Sequence, residues 1–309
     1  MSLKSTKILG ISVTTESKKT ILEYIEKYLE EAISDKRKVI RKDRNPLIIV
    51  TPNPEQIGAA QEDPQFAKIL NKADVALPDG IGVALAAWFL NFSLFTFHFS
   101  LPLRRIPGIE FMEALVELAA TKGFRIGLIG GRGAVAVQAL ECLKHRYPGL
   151  TGWAVEAPEF TVRSQGDLSK YELGIMNYGL EQKDKEFSSM LHNSYLMIHP
   201  TDDIRNYVGQ IASHIVKSGT RIIFVGLGAP KQEFFVERLA YHLSLISYHC
   251  AVMSVGGSFD IIAGRVPRAP LLLRTIGVEW LWRLVREPWR FGRQLRLLQF
   301  LWMVLKSRE

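Results

Sequence analysis

The chain has 309 residues, 47% of them hydrophobic and 23% charged. That is enough apolar material for one large α/β core or two smaller ones, and it excludes disorder as the main state. The formal net charge of +8 points to an anionic partner. Between Arg265 and Glu309 ten basic residues stand against three acidic ones, so this tail carries +7 of the total and the preceding chain is nearly neutral. Four of the six tryptophans, Trp280, Trp282, Trp289 and Trp302, lie in the same tail among leucines. Basic, aromatic and apolar residues together suit a membrane surface better than a nucleic acid. Cys142 and Cys250 are the only cysteines; they form no CxxC pair and lie in apolar segments, as buried thiols in a reducing compartment would. The apolar run in "MSLKSTKILGISV" is too short for a secretory signal, so a cytosolic protein is expected.

Along the chain, short β-branched runs alternate with longer helical patterns. Strands are expected over residues 8–13, 47–51, 75–77, 125–129, 152–155, 221–225 and 251–255. Helices are expected over 17–33, 64–72, 80–90, 109–122, 134–146, 203–217 and 230–242. This alternation implies an α/β, Rossmann-like fold, a mainly parallel sheet with helices on both faces. Ligands then bind beyond the carboxyl ends of the strands. Residues 81–103 contain no formal charge and are long enough to cross a bilayer. Asn91, Ser93, Thr96, His98 and Ser100 nevertheless spread polarity through the second half. Phe95, Phe97 and Phe99 alternate there with polar residues, as in a strand with one apolar face. Residues 157–200 carry "EQKDKEF" and little periodicity, and read as an insertion. Pro288 divides the tail into helices over 278–286 and 288–305. The organisation expected is an α/β core over 1–265 and a helical, membrane-associating appendage over 266–309.

In "ADVALPDGIGV" a single carboxylate, Asp79, closes an apolar run between Pro78 and Gly80. A charge is expensive to surround with hydrocarbon unless something pairs with it or uses it. Strand end, proline-set bend and helix start together would turn Asp79 out of the apolar layer and into a ligand cleft. Three glycine turns also follow strands. "FRIGLIGGRGAVA" has Gly130 and then Gly131-x-Gly133-x-x-Ala136, with Glu156 ending the next strand; it is either a dinucleotide fingerprint or an ordinary tight turn. "VGLGAPKQE" offers Gly228, Lys231 and Gln232 at a helix start, suited to a phosphate or an amide-bearing base. "SVGGSFD" ends in Asp260. Three such turns favour an enclosed anionic ligand. In "VTPNPEQ" two prolines hold Thr51 and Asn53 in a non-helical turn, with helix capping the other role open to Asn53. No HExxH or DxD spacing occurs, so no metal site is expected and a diphosphate would be neutralised by arginine, lysine and amides. Arg283, Arg286, Arg290 and Arg293 fall on one side of a helix, Leu284, Phe291, Leu295, Leu298 and Trp302 on another. That pattern is either a solvated charge face over a core contact or an interfacial helix resting on anionic lipid.

Taken in order, "TPNPE", "ADVALPDGIGV", "RIPGIEFMEAL", "GFRIGLIGG", "YPGL", "IIFVGLGAPKQE", "VGGSFDIIAGRVPRAP" and "GVEWLWRLVREPWR" make the chain resemble the TagA/WecG/CpsF family of bacterial glycosyltransferases. The resemblance covers most of the chain apart from roughly the first 40 residues and the 157–200 stretch. It implies a metal-independent, inverting, cofactor-free transfer of a sugar, typically N-acetylmannosamine, from a UDP donor to a polyprenyl-diphosphate-linked amino sugar at the inner leaflet. Other members use UDP-ManNAc-uronate or UDP-glucose. By motif, the resemblance places the general base on Asp79, the pocket threonine and asparagine on Thr51 and Asn53, and the pocket arginine on Arg105. The donor-binding glutamine falls on Gln232 beside the turns of Gly130, Gly131 and Gly228, and the appendage arginines fall on Arg283, Arg290 and Arg293. If Asp79 and Arg105 share one site, residues 81–103 cannot cross the bilayer between them.

The sequence departs from the family pattern in the phenylalanine-rich insert before "RIPG" and after "YPGL", where a histidine-bearing turn is lacking. The partners expected are a UDP-sugar donor, a lipid-linked acceptor and the cytoplasmic face of the membrane, met peripherally through the tail, with no nucleic acid; a homo-oligomer is left open. A rival reading is an NAD-dependent Rossmann oxidoreductase built on Gly131, Gly133, Ala136 and Glu156, which leaves the basic tail unexplained. A non-catalytic membrane adaptor gives no reason for Asp79.

Overall fold

The computed structural model describes residues 3–34, 46–91, 103–156, 159–160, 175–176, 204–286 and 291–307. It opens with a hairpin, β1 (Ser5–Ile8) and β2 (Ile11–Thr14), paired antiparallel with Ile8 opposite Ile11. The single strand expected over 8–13 is therefore two strands. Leu9 and Gly10 both take positive φ, 47° and 80°, as a two-residue turn matched to strand twist requires.

The chain continues through α1 (Lys18–Ser34), β3 (Leu47–Val50), α2 (Pro54–Glu62), α3 (Pro64–Lys72), β4 (Val75–Ala76), α4 (Ile81–Asn91), α5 (Gly108–Lys122), β5 (Arg125–Gly130), α6 (Val135–Arg146) and β6 (Gly152–Val155). After a short antiparallel pair, β7 (Glu159–Phe160) and β8 (Ile175–Met176), come α7 (Ile204–Ser218), β9 (Thr220–Gly226), α8 (Lys231–Leu245), β10 (Ala251–Ser254) and α9 (Ser258–Ile262). The tail forms α10 (Leu271–Thr275), α11 (Glu279–Arg286) and α12 (Phe291–Lys306). Helix α2 was not among the expected helices. It forms because Asn53 and Gln56 close a reciprocal capping box and Pro54 is pre-set for the first turn. Asp63 then ends α2 and caps α3, accepting from the amides of Gln65 and Phe66 at 3.0 and 3.1 Å.

Among the described residues the main sheet has six strands in the order β4-β3-β10-β9-β5-β6, with parallel pairing, and the α/β, Rossmann-like expectation holds. Among the described residues no helix is long and apolar enough to cross a membrane. The phenylalanine alternation over 95–99 lies outside the described residues, as does most of the 157–200 stretch.

Two compact units divide the chain: Met1–Ile25, Ile49–Phe111 and Pro267–Glu309 make one, Glu26–Ile48 and Met112–Val266 the other. In the first, α12 lies close on α2. A Cβ added to Gly58 would stand 3.7 Å from Met303 Cε and 3.8 Å from the Arg296 carbonyl, and Phe300 beside it is fully buried. Gln299 Nε2 donates to Glu62 Oε1 at 2.8 Å across the same contact. The second unit is cored by Ile129, Trp153, Tyr207, Ile223, Val225 and Leu239. The expectation of two buried thiols is half corrected: Cys250 is buried, but Cys142 is exposed on α6. One helix position in an apolar pattern faces solvent whenever it falls off the buried stripe.

Candidate active site

In the first unit three loops are stitched by their backbones. Leu77 N donates to Val50 O at 2.8 Å, Asp79 N to Pro52 O at 3.2 Å, and Ile106 N to Pro78 O at 2.9 Å. The loops after β3 and β4 and the lead into α5 thus form one cradle. Gly108 opens α5 inside it; a Cβ there would meet Thr51 Cγ2 at 3.0 Å and Asp79 Oδ2 at 3.6 Å. Both side chains therefore converge on the same bare Cα. Gly80, at φ 95°, supplies the left-handed turn that lets the chain run from the partly buried Asp79 into α4. The start of α4 also favours a negative charge at this position.

Asn53 stands beside Thr51 as the cap of α2, its Oδ1 accepting from Gln56 N at 2.9 Å while its own N–H donates to Gln56 Oε1 at 3.1 Å. Of the two roles open to Asn53, capping is the one this geometry displays. Arg105 enters the cradle paired with the tail: Nη2 meets Glu279 Oε2 at 3.1 Å, each side chain only 15% exposed, and Nη1 donates to the Arg274 carbonyl at 2.8 Å. Glu110 accepts from Arg268 Nη2 at 2.7 Å and lies 3.9 Å from Arg274 Nη1. Gly277, at φ 82°, brings the chain so close to Ile81 that an added Cβ would lie 2.8 Å from its Cβ. Arg105, Arg268 and Arg274 thus stand against Glu110 and Glu279, and this cluster is net positive.

The second unit has its own crevice. From β5 the chain crosses to β6 on one side, and from β9 it crosses to β10 on the other, so β5 and β9 flank a topological switch point, the usual ligand position in an open α/β sheet. Both strands end there in glycine. Gly131 N donates to Gly226 O at 3.0 Å, and a Cβ on Gly130 would strike that same oxygen at 2.5 Å, so only glycine fits. Gly228, at φ 76°, turns the chain toward α8 with open space around its Cα. Gln232 is 2% exposed; its Oε1 accepts from Gly256 N at 2.9 Å and its Nε2 donates to Glu233 Oε1 at 2.7 Å. Its amide thus ties the turn after β9 to the turn after β10. Among the described residues no group of three or more His, Cys, Asp or Glu side chains is placed to hold a metal ion.

The model of the glycosyl transferase WecG/TagA/CpsF family matches residues 7–172 and 179–309. The chain belongs to this family. The match reaches further than the motifs alone suggest, since it begins at Lys7 within the first hairpin and leaves out only residues 1–6 and 173–178. Two relatives named N-acetylglucosaminyldiphosphoundecaprenol N-acetyl-beta-D-mannosaminyltransferase are similar over nearly the whole length. That of Bacillus spizizenii (strain ATCC 23059 / NRRL B-14472 / W23) is 25% identical, covering 92% of this chain and 89% of its own. That of Bacillus subtilis (strain 168) is 24% identical, covering 94% and 87%. The chain is therefore a glycosyltransferase, which sets aside both the oxidoreductase and the adaptor readings.

For a WecG/TagA/CpsF enzyme the expected residues fall into two sets. Thr51, Asn53, Asp79 and Arg105 lie in the first unit, where Thr51 and Asp79 meet at Gly108 and Arg105 pairs with Glu279; Gly130, Gly131, Gly228 and Gln232 lie at the turns of the second. Arg283 lies on α11 and Arg293 in the first turn of α12, while Arg290 lies outside the described residues. Sequence reasoning missed Gly108, Gly277 and Glu279. Each stands in a quoted motif, "RIPGIEF" or "GVEW", but only the fold shows what it touches.

Proposed function

We propose that this glycosyltransferase moves N-acetylmannosamine from UDP to a hydroxyl of a polyprenyl-diphosphate-linked amino sugar, inverting the anomeric centre without a metal ion. The convergence of Asp79 and Thr51 on Gly108 is the observation that carries the reading. Asp79 takes the proton of the acceptor hydroxyl as its oxygen bonds to the anomeric carbon, and the bond from that carbon to the UDP oxygen breaks. Donor UDP is held by the glycine turns at the β5 and β9 ends, with Gln232 bracing the β9 turn against the turn after β10. Arg105 and the tail arginines Arg283, Arg290 and Arg293 balance the charge of the departing diphosphate. The names of the two Bacillus relatives support both the sugar and the acceptor class.

The tail, residues 266–309, is read as the element that rests on the inner face of the membrane. Leu271, Leu272, Trp280, Leu281, Val285, Leu298 and Trp302 are exposed there amid the basic surplus, a combination suited to an anionic lipid surface.

The test is transfer from a panel of UDP-sugars, UDP-ManNAc, UDP-ManNAc-uronate and UDP-glucose among them, to short-chain polyprenyl-diphosphate N-acetylglucosamine, followed by mass spectrometry. UDP-ManNAc is expected to be used, in EDTA as well as without it. Asp79→Asn should lower turnover roughly 100-fold or more while the melting temperature holds. Near-normal turnover in that variant would remove Asp79 from the role, and activity lost to EDTA would remove the metal-free mechanism.

A further inference from the structure

The glycine turn after β5 carries a charge that the reaction scheme leaves unused. Glu156, immediately after β6, reaches over the turn, and its Oε1 accepts from Gly133 N at 2.6 Å. Its backbone is fixed as well, since the hydroxyl of Tyr207, a core residue, donates to the Glu156 carbonyl at 3.1 Å. Arg265 braces the turn from another side, donating from Nε to Gln138 Oε1 at 3.0 Å and from Nη1 to the Arg132 carbonyl at 3.3 Å. With Gly131 N already committed to Gly226 O, two backbone donors that a bound phosphate would use are taken by oxygens of the protein itself.

A phosphate at Gly133 would lie against a carboxylate already there, and like charges in contact are strongly disfavoured. The opposite holds for hydroxyl groups, which donate to a carboxylate and gain from its charge. We infer that Glu156 reads the ribose hydroxyls of the donor nucleotide, so that the β5 turn selects the nucleoside while the diphosphate lies toward the β9 turn at Gly228. The spacing agrees: β6 and β9 flank β5, and the two steps between neighbouring strands amount to roughly 10 Å, the reach of a nucleoside diphosphate from ribose to outer phosphate. The inference rests on the UDP-donor reading above and adds a specificity-determining residue to it.

The experiment is calorimetric titration of the full chain with UDP and with 2′,3′-dideoxy-UDP, which lacks both ribose hydroxyls. The wild type is expected to prefer UDP by tenfold or more. Glu156→Gln, which keeps an oxygen for Gly133 N but loses the charge, should bring the two ligands within about threefold. Glu156→Asp keeps the charge but shortens the arm by one methylene, and should fall between them. In turnover, Glu156→Gln should raise the donor KM with kcat little changed. No UDP binding by the wild type would sink the donor reading itself. UDP binding with the full preference retained in both variants, or with equal affinity for the two ligands in the wild type, would overturn the assignment of Glu156 alone.

Discussion

Asn53 is where two readings of one side chain can be separated by measurement. Its capping box satisfies two backbone groups at the start of α2, and loss of such a cap costs about 1 kcal/mol. Asn53→Ala should therefore lower the melting temperature by a few degrees. A loss of transfer well beyond that of an equally destabilised control would show that the amide also touches substrate. His214 gives a second measurement at this scale. Its ring packs edge-on against Trp153 at 4.7 Å, and burial, then Arg125 and Lys217, pushes its pKa below the ordinary value. The unfolded chain thus takes up the proton first as pH falls. The stability His214 contributes is present above about pH 6.5 and is lost as pH falls below it toward the depressed folded value. Denaturant midpoints at pH 7 and pH 5 should differ less in His214→Phe than in the wild type. Asp79 was legible in the sequence because a lone carboxylate in an apolar run is itself a signal. Glu279 was not, because its partner Arg105 lies 174 positions away and nothing local announces the pair.

Elements with strong periodicity were legible, and those set by one or two residues were not. The parallel strands and long helices stand close to where β-branched runs and helical spacing put them. The first hairpin escaped because Leu9-Gly10 lacks the Asn or Asp that usually marks a turn with two positive φ values. Helix α2 escaped because its two prolines read as a turn, although one of them is the first helical residue. In the tail, α12 makes the core contact that one reading of its pattern expected and also leaves apolar side chains exposed. Phe300 is fully buried whereas Trp302 is 60% exposed. Phe300→Ala should cost about 3–5 kcal/mol in chemical denaturation. Trp302→Ala should leave that stability nearly unchanged and weaken sedimentation with anionic vesicles; equal vesicle binding would remove Trp302 from the lipid-facing surface.

For the whole molecule, alternation of strands and helices told the fold class, but strand order was beyond it. The order β4-β3-β10-β9-β5-β6 depends on pairings between strands far apart in sequence, and the crevice between β5 and β9 exists only once that order is known. The two cysteines, unequal in the folded chain, carry a practical consequence. Cys142 is open to solvent, while burial pushes the Cys250 thiol up to about 12, and alkylation proceeds through the thiolate. A maleimide should therefore add one mass increment to the native protein and two after unfolding. The enzyme comes with a single labelling position at the surface and an internal counter of its own opening.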